Sequence, residues 1–120
     1  MRIILDTNFL IDVIRFRIDL DATDLIGAHQ LIILSSVERE LIDISRKTSN
    51  ASIYAKTALK LIKELDIKIL KSKENPDNAM VKLADDKTLI ATNDRELRKR
   101  LKALGRKTIY LKSKKHLAIG

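Results

Sequence analysis

Ile3-Ile4-Leu5-Asp6-Thr7-Asn8-Phe9-Leu10-Ile11 is the stretch on which the reading of the whole chain depends. A short apolar run ends on a carboxylate, a polar pair follows, and apolar spacing resumes at Phe9, Leu10, Ile11, Val13 and Ile14. So short a run, bounded by polar residues, suits a buried strand, whereas the spacing after Asn8 suits a helix. Asp6 then stands at the carboxyl end of an early strand, where the chain turns into a helix. In open parallel sheets that edge is where ligands bind.

The same alternation continues outward from this stretch. Residues 2–5 are expected to form a strand and 9–15 a helix, with a short helix over 21–28 ending near Gly27. A second strand is expected over 31–34 and a helix over 35–45, followed by a polar, basic break at 46–50. In the next helix, 51–65, Ala51, Ala55, Ala58, Ile62 and Leu65 share one stripe. A third strand covers 67–70, and Pro76 suits the first position of a helix running to 84 with Asn75 as its N-cap. A fourth strand (87–91), a basic helix (94–104) stopped at Gly105, and a fifth strand (107–111) complete the pattern. The tail, 112–120, is basic, with some apolar residues, and is expected to be partly ordered. Strands alternating with helices imply an α/β fold in three layers, α/β/α, around a central parallel sheet of about five strands. One domain is expected to span 1–120.

The net charge is +8, and ten Lys or Arg residues lie within 95–120 against Glu96 alone. The body of the chain is thus near neutral and the excess is concentrated at one end, which points to a polyanionic partner, nucleic acid first. There is no cysteine, which excludes a disulfide framework and a thiolate metal site. No apolar run approaches the roughly 20 residues of a membrane span. The first residues lack a signal-peptide pattern, so a cytoplasmic protein without a membrane partner is expected. Gly27, Gly105 and Gly120 are the only glycines and form no phosphate-binding loop. With Phe9, Phe16, Tyr54 and Tyr110 as the only aromatics, no base-stacking platform is expected. Nucleic-acid contact should then be electrostatic and strongly salt-dependent.

Four carboxylates recur at one architectural place. Asp6 follows the first strand, Glu40 lies early in the helix after the second, Asp77 opens the helix after the third, and Asp94 directly follows the fourth. Each has a structural role open to it: Asp77 complements a helix dipole and Asp94 suits an N-cap. Glu38 is assigned to such a role, because Ser35 and Glu38 have capping-box spacing. Asp85 and Asp86 read as a solvated turn. Capping does not explain why Asp6 ends a strand beside a further polar pair. If the strands are neighbours, the four acids converge, and two unit charges about 4 Å apart cost about 4 kcal/mol at an effective dielectric near 20. A cation must offset that repulsion. His29 and His116 are far from the acids in sequence and are read as surface residues. An all-oxygen donor set favours Mg²⁺ or Mn²⁺ over zinc. Acids, a hard cation and a basic flank together point to phosphodiester hydrolysis.

The motifs ILDTNFLI (4–11), SSVEREL (35–41), NPDNAMVKLA (75–84) and IATNDRELRKRL (90–101), in this order, resemble the PIN-domain nucleases. The resemblance spans nearly the whole chain. It implies catalytic acids at Asp6, Glu40, Asp77 and Asp94. Asp6, Asp77 and Asp94 would ligate Mg²⁺ or Mn²⁺ directly or through water, and Glu40 would ligate or orient the attacking water. Thr7, Asn8 and Thr92 become supporting groups. The basic flank (Arg95, Arg98, Lys99, Arg100, Lys102, Lys112, Lys114 and Lys115) is assigned to RNA phosphates. The segment 91–117 is similar to an archaeal branch near the small-subunit processome nucleases of ribosomal RNA maturation. Relatives of that branch often carry an Asp-Asp pair where this chain has Asp77-Asn78. VapC-type toxins share the fold and the acids. The expectation is therefore a metal-dependent endoribonuclease in ribosomal RNA maturation. The alternatives are a toxin ribonuclease and a non-catalytic RNA-binding assembly factor. RNA is the expected partner, with a homodimer and an antitoxin or ribosome-assembly partner implied by the resemblance alone.

Overall fold

In a computed structural model that describes residues 1–120, the apolar runs become strands β1 (Arg2–Leu5), β2 (Gln30–Leu34), β3 (Lys68–Leu70), β4 (Thr88–Ala91), β5 (Thr108–Lys112) and β6 (His116–Ile119). The helices are α1 (Thr7–Arg15), α2 (Thr23–Ile26), α3 (Ser35–Ser45), α4 (Asn50–Glu64), α5 (Pro76–Leu83) and α6 (Arg95–Ala103). All strands form one sheet in the order β3-β2-β1-β4-β5-β6. The first five pair in parallel, and β6 lies antiparallel on β5. β1 and β4 are central, which is why Ile3, Ile4, Leu5, Ile90 and Ala91 are all buried and these strands read as continuous apolar runs. α1, α3 and α4 pack on one another, while α5 packs on α6. Right-handed crossovers put these two groups on opposite faces of the sheet, giving the three expected layers.

The strand order reverses at β1, which has β2 on one side and β4 on the other. Helices leave neighbouring strands in opposite directions at such a point and open a crevice outside their carboxyl ends. The Asp6 backbone N–H donates to the Ala91 carbonyl (2.9 Å), so the β1–β4 ladder continues to the lip of that crevice. No helix is long and apolar enough to cross a membrane.

Local details depart from expectation in three places. The first helix begins at Thr7, because Asp6 caps it by accepting the Thr7 N–H at 2.8 Å, so Thr7 and Asn8 form its first turn. The Ser35–Glu38 capping box does not form: the N-cap of α3 is Leu34. Ser35 Oγ instead accepts the Ser72 N–H (2.9 Å) and donates to the Ser72 carbonyl (3.2 Å), pinning the loop that leads to α5. The tail is the third, being a strand that pairs Ile109 with Ile119 and Lys112 with His116 and makes the sheet six-stranded and mixed. Its turn holds Ser113 and Lys114 at φ 55° and 56°. Tight hairpin turns need such positive angles, but usually from Asn or Gly, so this one carries no sequence signal.

α6 is held to the sheet by Leu97 and Leu101, both buried. Leu97→Ala should cost about 2–5 kcal/mol in urea unfolding, as expected for truncating a closely packed leucine. A loss below about 1 kcal/mol would show that α6 is not seated this way.

Candidate active site

Asp6 is 6% exposed, and each of its carboxylate oxygens accepts one hydrogen bond. The Thr7 backbone N–H donates to Oδ1 (2.8 Å) and the Thr92 hydroxyl donates to Oδ2 (2.7 Å). Burial pushes its pKa up from an ordinary 3.8 to about 6. The two hydrogen bonds work against the shift, and the negative charges of Asp77 and Glu40 add to it. Asp6, Glu40, Asp77 and Asp94 line one open cleft of about 420 Å³, together with Thr7, Asn8 and Asn75. The topology thus brings together the four carboxylates singled out in the sequence.

Each acid is positioned by a local device. The Thr7 hydroxyl donates to Glu40 Oε2 at 2.7 Å, so the first turn of α1 holds the acid of α3. Asp77 sits in the first turn of α5, whose N-cap Asn75 accepts the N–H groups of Asp77 (3.0 Å) and Asn78 (3.4 Å). Asp94 caps α6 through Oδ1, which accepts from Glu96 N (2.9 Å) and Leu97 N (3.3 Å); its Oδ2 has no partner. The structural role weighed for Asp94 is therefore present, and it leaves one oxygen for the cleft.

The supporting residues divide their work differently from expectation. Thr92 holds Asp6 and also accepts the Asp94 N–H (3.1 Å), so one hydroxyl links both acids. Asn8 does not grip a carboxylate: its Oδ1 accepts the Asn93 N–H at 3.2 Å. Asn93, not singled out in the sequence, donates to Asp12 (2.9 Å) and accepts the Leu111 N–H (2.8 Å). It ties α1, the turn after β4 and β5 together. The only hint was its place between Thr92 and Asp94. Asn78 does not line the cleft; it accepts from Arg100 Nη2 (3.1 Å) on α6.

The basic residues are not equivalent either. Arg95, Lys99, Arg100 and Lys102 are exposed along α6, and Lys112, Lys114 and Lys115 surround the exposed β5–β6 turn. Arg98 is half-buried, its guanidinium 3.6 Å above the Tyr110 ring and its Nε donating to Thr108 (3.3 Å), so it fastens α6 to β5. Neither His29 nor His116 reaches the cleft.

No three His, Asp or Glu side chains are disposed to grip one ion directly. The cleft offers oxygen donors alone, one of them a carboxylate whose charge is poorly tolerated without a cation. That donor set fits a hard divalent ion that keeps several waters and is held through one or two carboxylates, as Mg²⁺ usually is.

Residues 3–114 match the family model described as a PIN like domain. Among solved structures, the one described as "Structure of the PIN domain endonuclease Utp24" aligns with a TM-score of 0.76 at 23% identity, covering 97% of this chain and 90% of that one. At that identity the likeness establishes the fold. No curated protein matches the sequence.

The raised pKa of Asp6 carries a stability consequence. Below pH 3.8 the group is neutral in the folded and the unfolded chain alike. Between 3.8 and about 6 the unfolded chain ionises while the fold retains the proton, so stability falls as pH rises, by about 3 kcal/mol in all. In EDTA, Asp6→Asn should therefore be up to about 3 kcal/mol more stable than wild type near pH 8, and the gap should close near pH 4. Urea unfolding at the two pH values checks this. A wild type that is the more stable protein near pH 8 contradicts it.

Proposed function

The chain belongs to the PIN-like domain family, and on that premise we propose that it is a Mg²⁺- or Mn²⁺-dependent endoribonuclease acting in ribosomal RNA maturation. The observation that carries the proposal is the meeting of Asp6, Glu40, Asp77 and Asp94 in one cleft at the point where the strand order reverses. The likeness of 91–117 to the ribosomal RNA branch of the family supports the substrate.

Asp6, Asp77 and Asp94 would hold the cation, one or two of them directly and the rest through its waters. When bound, it lowers the pKa of a water and offsets charge on the phosphate and the leaving oxygen. The chain's own residues then do the following. Glu40 has one oxygen fixed by the Thr7 hydroxyl, leaving the other to orient the attacking water and accept its proton. Thr92 keeps Asp6 aimed into the cleft and favours its ionised form, the form that attracts a cation. Asp94 contributes its unpartnered oxygen from a helix N-terminus that Leu97 and Leu101 hold in place. The exposed cations of α6 and of the β5–β6 turn draw the RNA backbone toward an otherwise acidic cleft.

Incubation of single-stranded and structured RNA with the protein and Mn²⁺ tests the reading. Wild type should cut, EDTA should stop it, and Asp6→Asn should lose more than the roughly 10- to 100-fold typical of losing a ligand's outer partner. Identical cleavage by the mutant, or RNA binding without cleavage by either protein, would favour the assembly-factor reading.

A further inference from the structure

Beside the cleft lies a second depression of about 360 Å³ between α5 and α6, bordered by Glu74, Asn75, Asn78, Val81, Lys82 and Arg100. Its size falls within the range of small-molecule sites. Asn75 borders both spaces, so the groove adjoins the cleft that holds Asp77 and Asp94.

The hydrogen bonding inside the groove is one-sided. Asn75 turns its Oδ1 inward to cap α5, which points its amide nitrogen away from the helix. Asn78 turns its Oδ1 toward Arg100, which likewise leaves its amide nitrogen without a partner. Arg100 uses a single nitrogen on Asn78 and forms no ion pair, so most of its five N–H groups remain free. The one acid on the rim, Glu74, is paired with Lys82. What faces the open space is thus mostly donors, with one uncompensated positive charge. That lining complements a ligand that is anionic and rich in acceptors.

We propose that this groove seats the nucleotide adjoining the scissile phosphate, with Arg100 on its phosphate and the Asn75 and Asn78 amides donating to its ribose or base oxygens. This rests on the reading that the cleft cuts RNA, and it assigns Asn78 a use that an aspartate there would lack. A carboxylate at 78 would offer only acceptors and would neutralise Arg100. Arg100 acts on the strand next to the cut and Arg98 on the fold, although they lie two residues apart on one helix.

Fluorescence anisotropy with a short labelled single-stranded RNA in EDTA separates binding from cutting. Arg100→Ala should weaken binding about tenfold and reduce the salt slope by about one. Asn78→Ala, which changes no charge, should weaken binding about threefold or more with the slope unchanged, as for loss of a neutral hydrogen bond. Lys107→Ala, an exposed cation that does not border the groove and lies beside Asp85 and Asp86, is the control for general electrostatics. The proposal is overturned if Asn78→Ala binds as wild type does and Arg100→Ala loses no more than Lys107→Ala. Cleavage in Mn²⁺ is scored separately. Groove-dependent binding without cleavage supports the groove and contradicts the nuclease reading; cleavage without groove-dependent binding does the reverse.

Discussion

The hydroxyl of Thr92, fully buried at the exit of β4, donates to the carboxylate of Asp6 at the exit of β1 and accepts the backbone N–H of Asp94. A carboxylate this far from water is costly unless donors compensate it, and the low local dielectric strengthens the bonds that do so. The remaining contacts at the cleft follow from that anchorage. With Asp6 fixed as the cap of α1, Thr7 reaches Glu40 and Asn8 reaches the Asn93 backbone. Asn93 in turn binds Asp12 and Leu111, which ties the hairpin of β5 and β6 into the same network. The rigidity of the site therefore comes from the parallel pairing of two central strands, which brings their exits together.

That placement has an electrostatic cost. Asp6 sits among other acids with its pKa raised to about 6, so near neutral pH the cleft holds charge that the fold tolerates poorly. On the proposed function, a divalent cation would relieve this by compensating the carboxylates together, which would make ion binding and local stability two aspects of one equilibrium. Around this acidic centre the exposed surface of α6 and the β5–β6 turn is basic. On the same reading, opposite charges on neighbouring surfaces would divide the labour between holding a cation and holding a polyanion.

Much of this was legible in the residue pattern, and the omissions have physical causes. Short apolar runs and amphipathic stripes mark β1, β2, β4, β5 and the long helices because burial imposes those periods. The four acids were visible as a recurrence at strand exits. Their convergence was not, since it depends on β4 returning to lie beside β1, a pairing between residues far apart in the chain. β6 pairs locally with β5, and it was hidden because their turn uses Ser113 and Lys114 where Asn or Gly would have announced a hairpin. Ser35 misled, since its capping-box spacing is local but its actual partner is Ser72, across the sheet edge. Asn93 was silent because an asparagine in a turn is ordinary until its three contacts are seen together.

The central claim is that Asp6 is the anchor of a cation site, and calorimetric titration with Mn²⁺ at about pH 6, repeated in two buffers of different ionisation enthalpy, tests it most directly. Asp6 is then partly protonated, so metal binding should displace its proton. The structure predicts a saturable site in wild type that releases a fraction of a proton per ion bound, with both the affinity and the proton release largely lost in Asp6→Asn. Saturable binding of equal strength and equal proton release in the two proteins would contradict it.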